Sequence, residues 1–131
     1  MPKILIIQLK RFKVTYNSHK KLNYAINIPS ELRLDYLFKN KADTSVYNLF
    51  AIVVHVGNGI DYGHYFCLIK TCGKWFKFDD ENVDVIFELS KLIKNKDINE
   101  FFGNPDEEYE YNSNFCAYML LYEPSEESRE I

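Results

Sequence analysis

Two short runs rich in aromatic and branched residues, Tyr65 to Lys70 and Lys74 to Phe78, are separated only by Thr71-Cys72-Gly73. Apolar runs broken by so short a glycine-containing gap read as two strands joined in a tight hairpin. Gly63-His64 stands before the first strand and Phe78-Asp79-Asp80 closes the second. Side chains alternate faces along a strand. A loop with an even number of residues, two or four, therefore sets His64 and Asp79 on one face, opposite or diagonal to each other. An imidazole facing a carboxylate is the base-and-orienter part of a catalytic triad, in which the acid fixes the tautomer and steadies the imidazolium.

The rest of the chain is read around that hairpin. Tyr47 to Val56 is dense in Val, Ile and aromatic residues and predicts a strand. Gly57 to Gly63 carries three glycines in seven residues, which suits a flexible loop over a substrate channel or, more plainly, a long turn. Upstream, Ile4 to Phe12 is nearly continuously apolar and predicts a strand buried on both faces. Phe12 to Leu22 is polar and basic, an exposed hairpin loop with solvated lysines. Tyr24, Ile26 and Ile28 alternate up to Pro29 and predict a strand, followed by a turn and an irregular continuation to Phe38. Lys39 to Ser45 reads as a loop.

Downstream, Val83 to Ile86 is a short strand. Leu89, Leu92 and Ile93, then Ile98, Phe101 and Phe102, fall at helical spacing but out of phase with each other, which predicts two short helices. Asp97 and Glu100 resemble a capping box and Gly103 a terminating turn. Asn104 to Asn112 reads as an acidic loop, Phe115 to Tyr122 as the last strand, and Glu123 onward as a charged, frayed tail. The expected fold class is α+β: one antiparallel sheet with one or two short helices, in a single domain over 1–122 with a tail over 123–131.

The pattern Tyr47-x-Leu49-x-Ala51-Ile52-x-x-His55-x-Gly57, five residues, Gly63-His64-Tyr65 resembles the histidine box of the ubiquitin-specific proteases. These are papain-like deubiquitinating cysteine proteases. Pro2 to Phe12 is similar to the strand that opens the family's C-terminal half, Phe78-Asp79-Asp80-Glu81-Asn82-Val83 to its third-residue box, and Ala117 to Tyr122 to its last strand. The resemblance runs over residues 2–122 and covers the second, palm-like half of the family's catalytic domain. The family's cysteine box (Asn-x-Gly-x-Thr-Cys type) and paired Cys-x-x-Cys zinc ligands have no counterpart here, so Met1 is expected to be a truncated or artificial start.

The resemblance implies hydrolysis of the isopeptide or peptide bond after the C-terminal glycine of ubiquitin. His64 would be the general base toward a Cys thiol on a missing upstream segment, then general acid toward the leaving lysine amine. Asp79 would hold the imidazole. Asp80, on the opposite face of an ideal strand, would support the pair or polarise substrate. The loops at 12–22 and 57–63 would frame ubiquitin's tail, with Gly57, Asp61, Gly63 and Tyr65 as substrate contacts. The tail is basic, and Asp61, Asp79, Asp80 and Glu81 would set negative charge along its path. Lys94 to Gly103, ending Asn99-Glu100-Phe101-Phe102-Gly103, is similar to the subgroup activated by WD-repeat partners, so such an activator is an expected partner. Half a domain leaves apolar surface uncovered, so self-association is expected too.

Other chemistries fit the residues less well. His64, Cys67 and Cys72 are close in sequence, but strand parity sends His64 and Cys67 to opposite faces, whereas zinc needs converging ligands. No metal or other cofactor is expected. Cys67 faces away from His64, Cys72 sits at the hairpin tip, and Cys116 reads as a small core residue, so the chain alone should be inactive. His55 reads as a structural residue ordering the glycine loop, and Phe66 and Trp75 as core. A net charge of −3 gives no reason to expect nucleic acid. The run Ile4 to Ile7 is too short for a signal peptide core, and no stretch approaches a membrane span. Three cysteines form no paired framework, which suits a reducing compartment, cytosol or nucleus. The alternative reading is a non-catalytic ubiquitin-binding or scaffolding module in which the His–Asp pair is idle.

Overall fold

The computed structural model describes residues 2–22, 26–35, 45–57, 59, 61–86 and 115–126. The two expected helices, the acidic loop at 104–112 and most of the 39–45 loop lie outside the described residues. The strands in chain order are β1 (Leu5–Gln8), β2 (Phe12–Thr15), β3 (Ser18–Lys21), β4 (Glu31–Arg33), β5 (Val46–Val56), β6 (His64–Thr71), β7 (Lys74–Asp79), β8 (Asn82–Ile86) and β9 (Phe115–Pro124). The main sheet runs β1-β9-β5-β6-β7-β8, with β4 on the first part of β5, and β2–β3 forms a separate two-stranded ribbon. All described pairings are antiparallel, as the hairpin-rich sequence predicts.

Alternation sorts the sheet into two faces. On one face Ile52, Val54, Phe66, Leu68 and Trp75 are buried and join Tyr47, Leu49, Leu120 and Tyr122 in the core. Ile28 and Leu34 complete that core from the segment flanking β4. The Tyr122 hydroxyl donates to the Pro29 carbonyl (2.8 Å), and the Leu49 amide to the Ser30 carbonyl (2.9 Å). Leu68 and Ile52, cross-strand partners with no exposure, mark its centre. Two register shifts, between Leu49 and Ala51 and between Val53 and Val54, interrupt the β5–β9 pairing. The second skips Tyr118, which tilts its ring against Phe12 and Tyr65.

Four expectations are corrected. Among the described residues the opening strand is an edge strand, paired only to β9, and it is not buried on both faces: Ile4 and Ile6 are 51% and 57% exposed. An apolar run looks the same whether one of its faces or both are covered. Ile26 to Pro29 forms no ladder; Pro29 lacks an amide to donate, and the strand follows it as β4. Lys21 is not solvated but buried. The last strand continues past Tyr122, with Glu123 and Pro124 paired to Asn48 and Tyr47 and the Ser125 amide donating to the Val46 carbonyl.

Candidate active site

The site follows from one turn. Cys72 and Gly73 both take positive φ, 51° and 74°, so β6 and β7 are joined by a two-residue loop of the type whose twist matches the strands. The register Thr71↔Lys74 to Cys67↔Phe78, continued by one residue, sets Asp79 across from Phe66. His64 is then diagonal to Asp79 on the core face, as parity requires for an even loop. The His64 Nε2 and Asp79 Oδ1 are hydrogen-bonded. Lys77, two residues before Asp79 and on the same face, holds Asp79 Oδ2 at 3.2 Å. Its ammonium also lies 4.5 Å over the Phe66 ring, a cation–π contact that adds a second restraint.

Asp80 departs from expectation. It opens the β7–β8 turn with φ of 51°, so it does not continue the strand to the opposite face. Its Oδ2 reaches 4.0 Å from His64 Nε2. Three charged groups thus converge on one imidazole. The Asp79 hydrogen bond raises the His64 pKa above its usual 6.5; partial desolvation opposes this, the Asp79 and Asp80 charges reinforce it, and Lys77 opposes it. The Asp79 carboxyl is held below its usual range, first by His64 and then by Lys77. With Nε2 committed to the carboxylate, Nδ1 is the ring nitrogen left to exchange a proton with a reactant.

His64, Asp79 and Asp80 bring ligand atoms within 4.8 Å of one another. Both Asp79 oxygens are already engaged, however, one by His64 and one by an ammonium, which suits a proton-transfer pair better than a cation cradle. Cys67 pairs with Val53 and Phe78 on the other face, so it cannot join His64 as a zinc ligand or nucleophile. Cys72 is exposed at the turn and Cys116 is buried. None of the three cysteines stands where His64 could activate it.

The glycine loop closes at its base. Gly57 and Gly63 take φ of 134° and 139°, and a Cβ on Gly57 would lie 3.0 Å from the Gly63 Cα. A Cβ on Gly63 would overlap the Val56 carbonyl oxygen and come within 2.5 Å of His55 Nε2. Glycine is required here for close approach as well as for φ. His55 is 1% exposed beneath this closure, and its ring lies 4.7 Å from Tyr65 and 6.0 Å from Phe12. Burial lowers the His55 pKa, Lys21 lowers it further, and a hydrogen bond to the Tyr62 backbone opposes both; its Nδ1 is buried without a hydrogen-bond partner among the described residues.

Of the substrate-contact candidates, Gly57 and Gly63 form this closure, and Tyr65 is 47% exposed beside His55 and Tyr118. Asp61 is exposed in the loop, and none of the described contacts joins it to the His64–Asp79 pair. Sequence reasoning missed Lys77 and Lys21. The parity argument that found Asp79 also places Lys77 on its face; nothing in the run Lys20-Lys21 distinguishes the buried lysine.

Residues 1–122 match the family model described as ubiquitin carboxyl-terminal hydrolase. The chain is 42% identical over 124 residues to ubiquitin carboxyl-terminal hydrolase 4 of Arabidopsis thaliana, covering 93% of this chain and 31% of that protein. It is 36% identical over 127 residues to the probable ubiquitin carboxyl-terminal hydrolase creB of Aspergillus fumigatus, covering 94% of this chain and 15% of that one. The chain therefore spans a third or less of the length of these relatives. Among solved structures, the SAGA Ubp8/Sgf11/Sus1/Sgf73 DUB module superposes with a TM-score of 0.69 at 29% identity, covering 96% of this chain and 24% of the other. The same module bound to ubiquitin aldehyde gives a TM-score of 0.69 at 28% identity, covering 96% and 25%.

Proposed function

The chain belongs to the ubiquitin carboxyl-terminal hydrolase family, and from that premise we propose that it supplies the general base and its orienting acid to a deubiquitinating thiol protease. The reaction is hydrolysis of the peptide or isopeptide bond after ubiquitin's C-terminal glycine. The nucleophilic cysteine comes from a segment outside this sequence, because no cysteine here can reach His64. His64 Nδ1 takes the thiol proton as sulfur attacks the carbonyl carbon, then returns it to the leaving lysine amine. Water, deprotonated by the same imidazole, hydrolyses the resulting thioester. Asp79 holds the imidazole and steadies its charged form. Asp80, close enough to sense that charge, strengthens it. The glycine loop and Tyr65 contact ubiquitin's tail, and Asp61 meets its basic residues.

The observation that carries this reading is the His64–Asp79 hydrogen bond, with Lys77 on the other carboxylate oxygen. An idle pair in a binding module would need no such arrangement, and the module reading is not favoured. The parent protein works in the cytosol or nucleus, and a WD-repeat activator is retained as a proposed partner; the segment that suggested it lies outside the described residues. This chain in isolation is inactive and self-associates. The test is labelling of the longer parent chain with ubiquitin bearing a thiol-reactive C-terminal electrophile. A covalent adduct, lost on His64→Ala, is expected. An adduct formed equally well without His64, or none with the wild-type parent, contradicts the proposal.

A further inference from the structure

Lys21 ends β3 and is only 5% exposed, although it follows a run of solvated basic residues. Its ammonium donates to the Gly57 carbonyl at 2.6 Å and to the His55 carbonyl at 3.4 Å. These carbonyls lie where β5 ends and the glycine loop begins. His55 is still in the ladder, but the Gly57 carbonyl lies past its end, and a buried carbonyl there must find a donor elsewhere. A methionine would fill the same space but leave both without this donor. Arg11, 2% exposed, holds the same ribbon to the sheet through Nε to the Ala117 carbonyl (2.9 Å), and joins the ribbon's two ends through Nη1 to the Leu22 carbonyl (3.3 Å).

The consequence reaches His64 in a few steps. Gly57, gripped by Lys21, closes on Gly63, and Gly63 immediately precedes His64, which pairs with Val56 beside the same closure. We propose that Lys21 is a positioning residue: its buried ammonium pins the closed base of the 57–63 loop, and so fixes where β6 begins and how His64 meets Asp79. This rests on the hydrolase reading above. It ties the β2–β3 ribbon, one expected wall of the tail channel, to the loop expected as the other.

The test is steady-state kinetics of the full-length parent on ubiquitin carrying a fluorogenic C-terminal amide. Lys21→Met should lower kcat about tenfold or more, and by a larger factor than it raises KM, because a misplaced base slows chemistry beyond whatever tail contact the loosened loop loses. Lys21→Arg, which keeps charge and donors, should recover part of the loss. A folded Lys21→Met with kcat within twofold of wild type overturns the inference. A wild-type parent without activity overturns the hydrolase reading and this one with it. If Lys21→Met does not fold, the wild-type chain decides by NMR. The Lys21 ammonium should exchange its protons slowly and show a hydrogen-bond coupling to the Gly57 carbonyl carbon; exchange as fast as that of Lys13 or Lys20 overturns the inference.

Discussion

The proposed chemistry rests on three side chains on the core face of one hairpin, His64, Asp79 and Lys77. Asp79 raises the His64 pKa and Lys77 lowers it. In an NMR titration the His64 midpoint should lie above 6.5. Asp79→Asn should move it down and Lys77→Met up; a midpoint indifferent to Asp79→Asn contradicts the pair. Linkage fixes the effect on stability. The raised His64 pKa contributes stability that is full below 6.5 and lost as pH rises through the folded value. The lowered Asp79 pKa contributes stability that is full above 3.8 and lost as pH falls through its folded value. Both contributions are in force between those limits. At this scale His64 and Asp79 were legible because parity in a hairpin is nearly arithmetic. Asp80 was not, since a left-handed residue in a turn ends the alternation on which that arithmetic depends. Lys21 was not, because burial of a lysine is decided by carbonyls more than thirty residues away in sequence.

At the scale of elements, the two glycine turns make different demands. A Cβ on Gly73 would meet nothing within 4 Å, so Gly73→Ala carries only the left-handed conformational cost, about 1–2 kcal/mol. Gly63→Ala adds a clash with the backbone of β5 and with His55, and overpacking of this kind typically costs a further ~1–3 kcal/mol. Chemical denaturation should rank them in that order, with the His64 resonance displaced by Gly63→Ala and untouched by Gly73→Ala. Equal losses would contradict the closed-loop geometry. β5, β6 and β7 were readable because their branched and aromatic residues alternate between short turns. β1 was misread because apolar density does not say whether one face is covered or both, and the segment before Pro29 because it does not say whether a ladder partner exists.

Across the whole molecule, the face opposite the core carries an apolar row, Ile6, Leu121, Ala51, Ile69, Phe76 and Val85, that crosses six strands. Its ends are open: Ile6 is 57% and Val85 41% exposed, and neighbouring Val83 is 54% exposed. Apolar surface of this continuity drives association. Sedimentation of the isolated chain should show concentration-dependent dimers or larger species, reduced by Ile6→Lys with Val85→Lys. A monomer at every concentration would count against that surface being sticky. The antiparallel sheet was legible from strand and turn chemistry, whereas strand order was not: β9 inserts between β1 and β5, a long-range pairing that no local pattern announces.

His64 and Asp79 are proposed to act as one catalytic unit, and the decisive experiment is a double-mutant cycle on kcat in the full-length parent. His64→Ala should lower kcat about 10²–10⁴-fold, Asp79→Ala should cost less, and the double variant should be no slower than His64→Ala alone, because an orienting acid has nothing left to orient. Losses that multiply in the double variant, or a His64→Ala enzyme within threefold of wild type, would contradict the account.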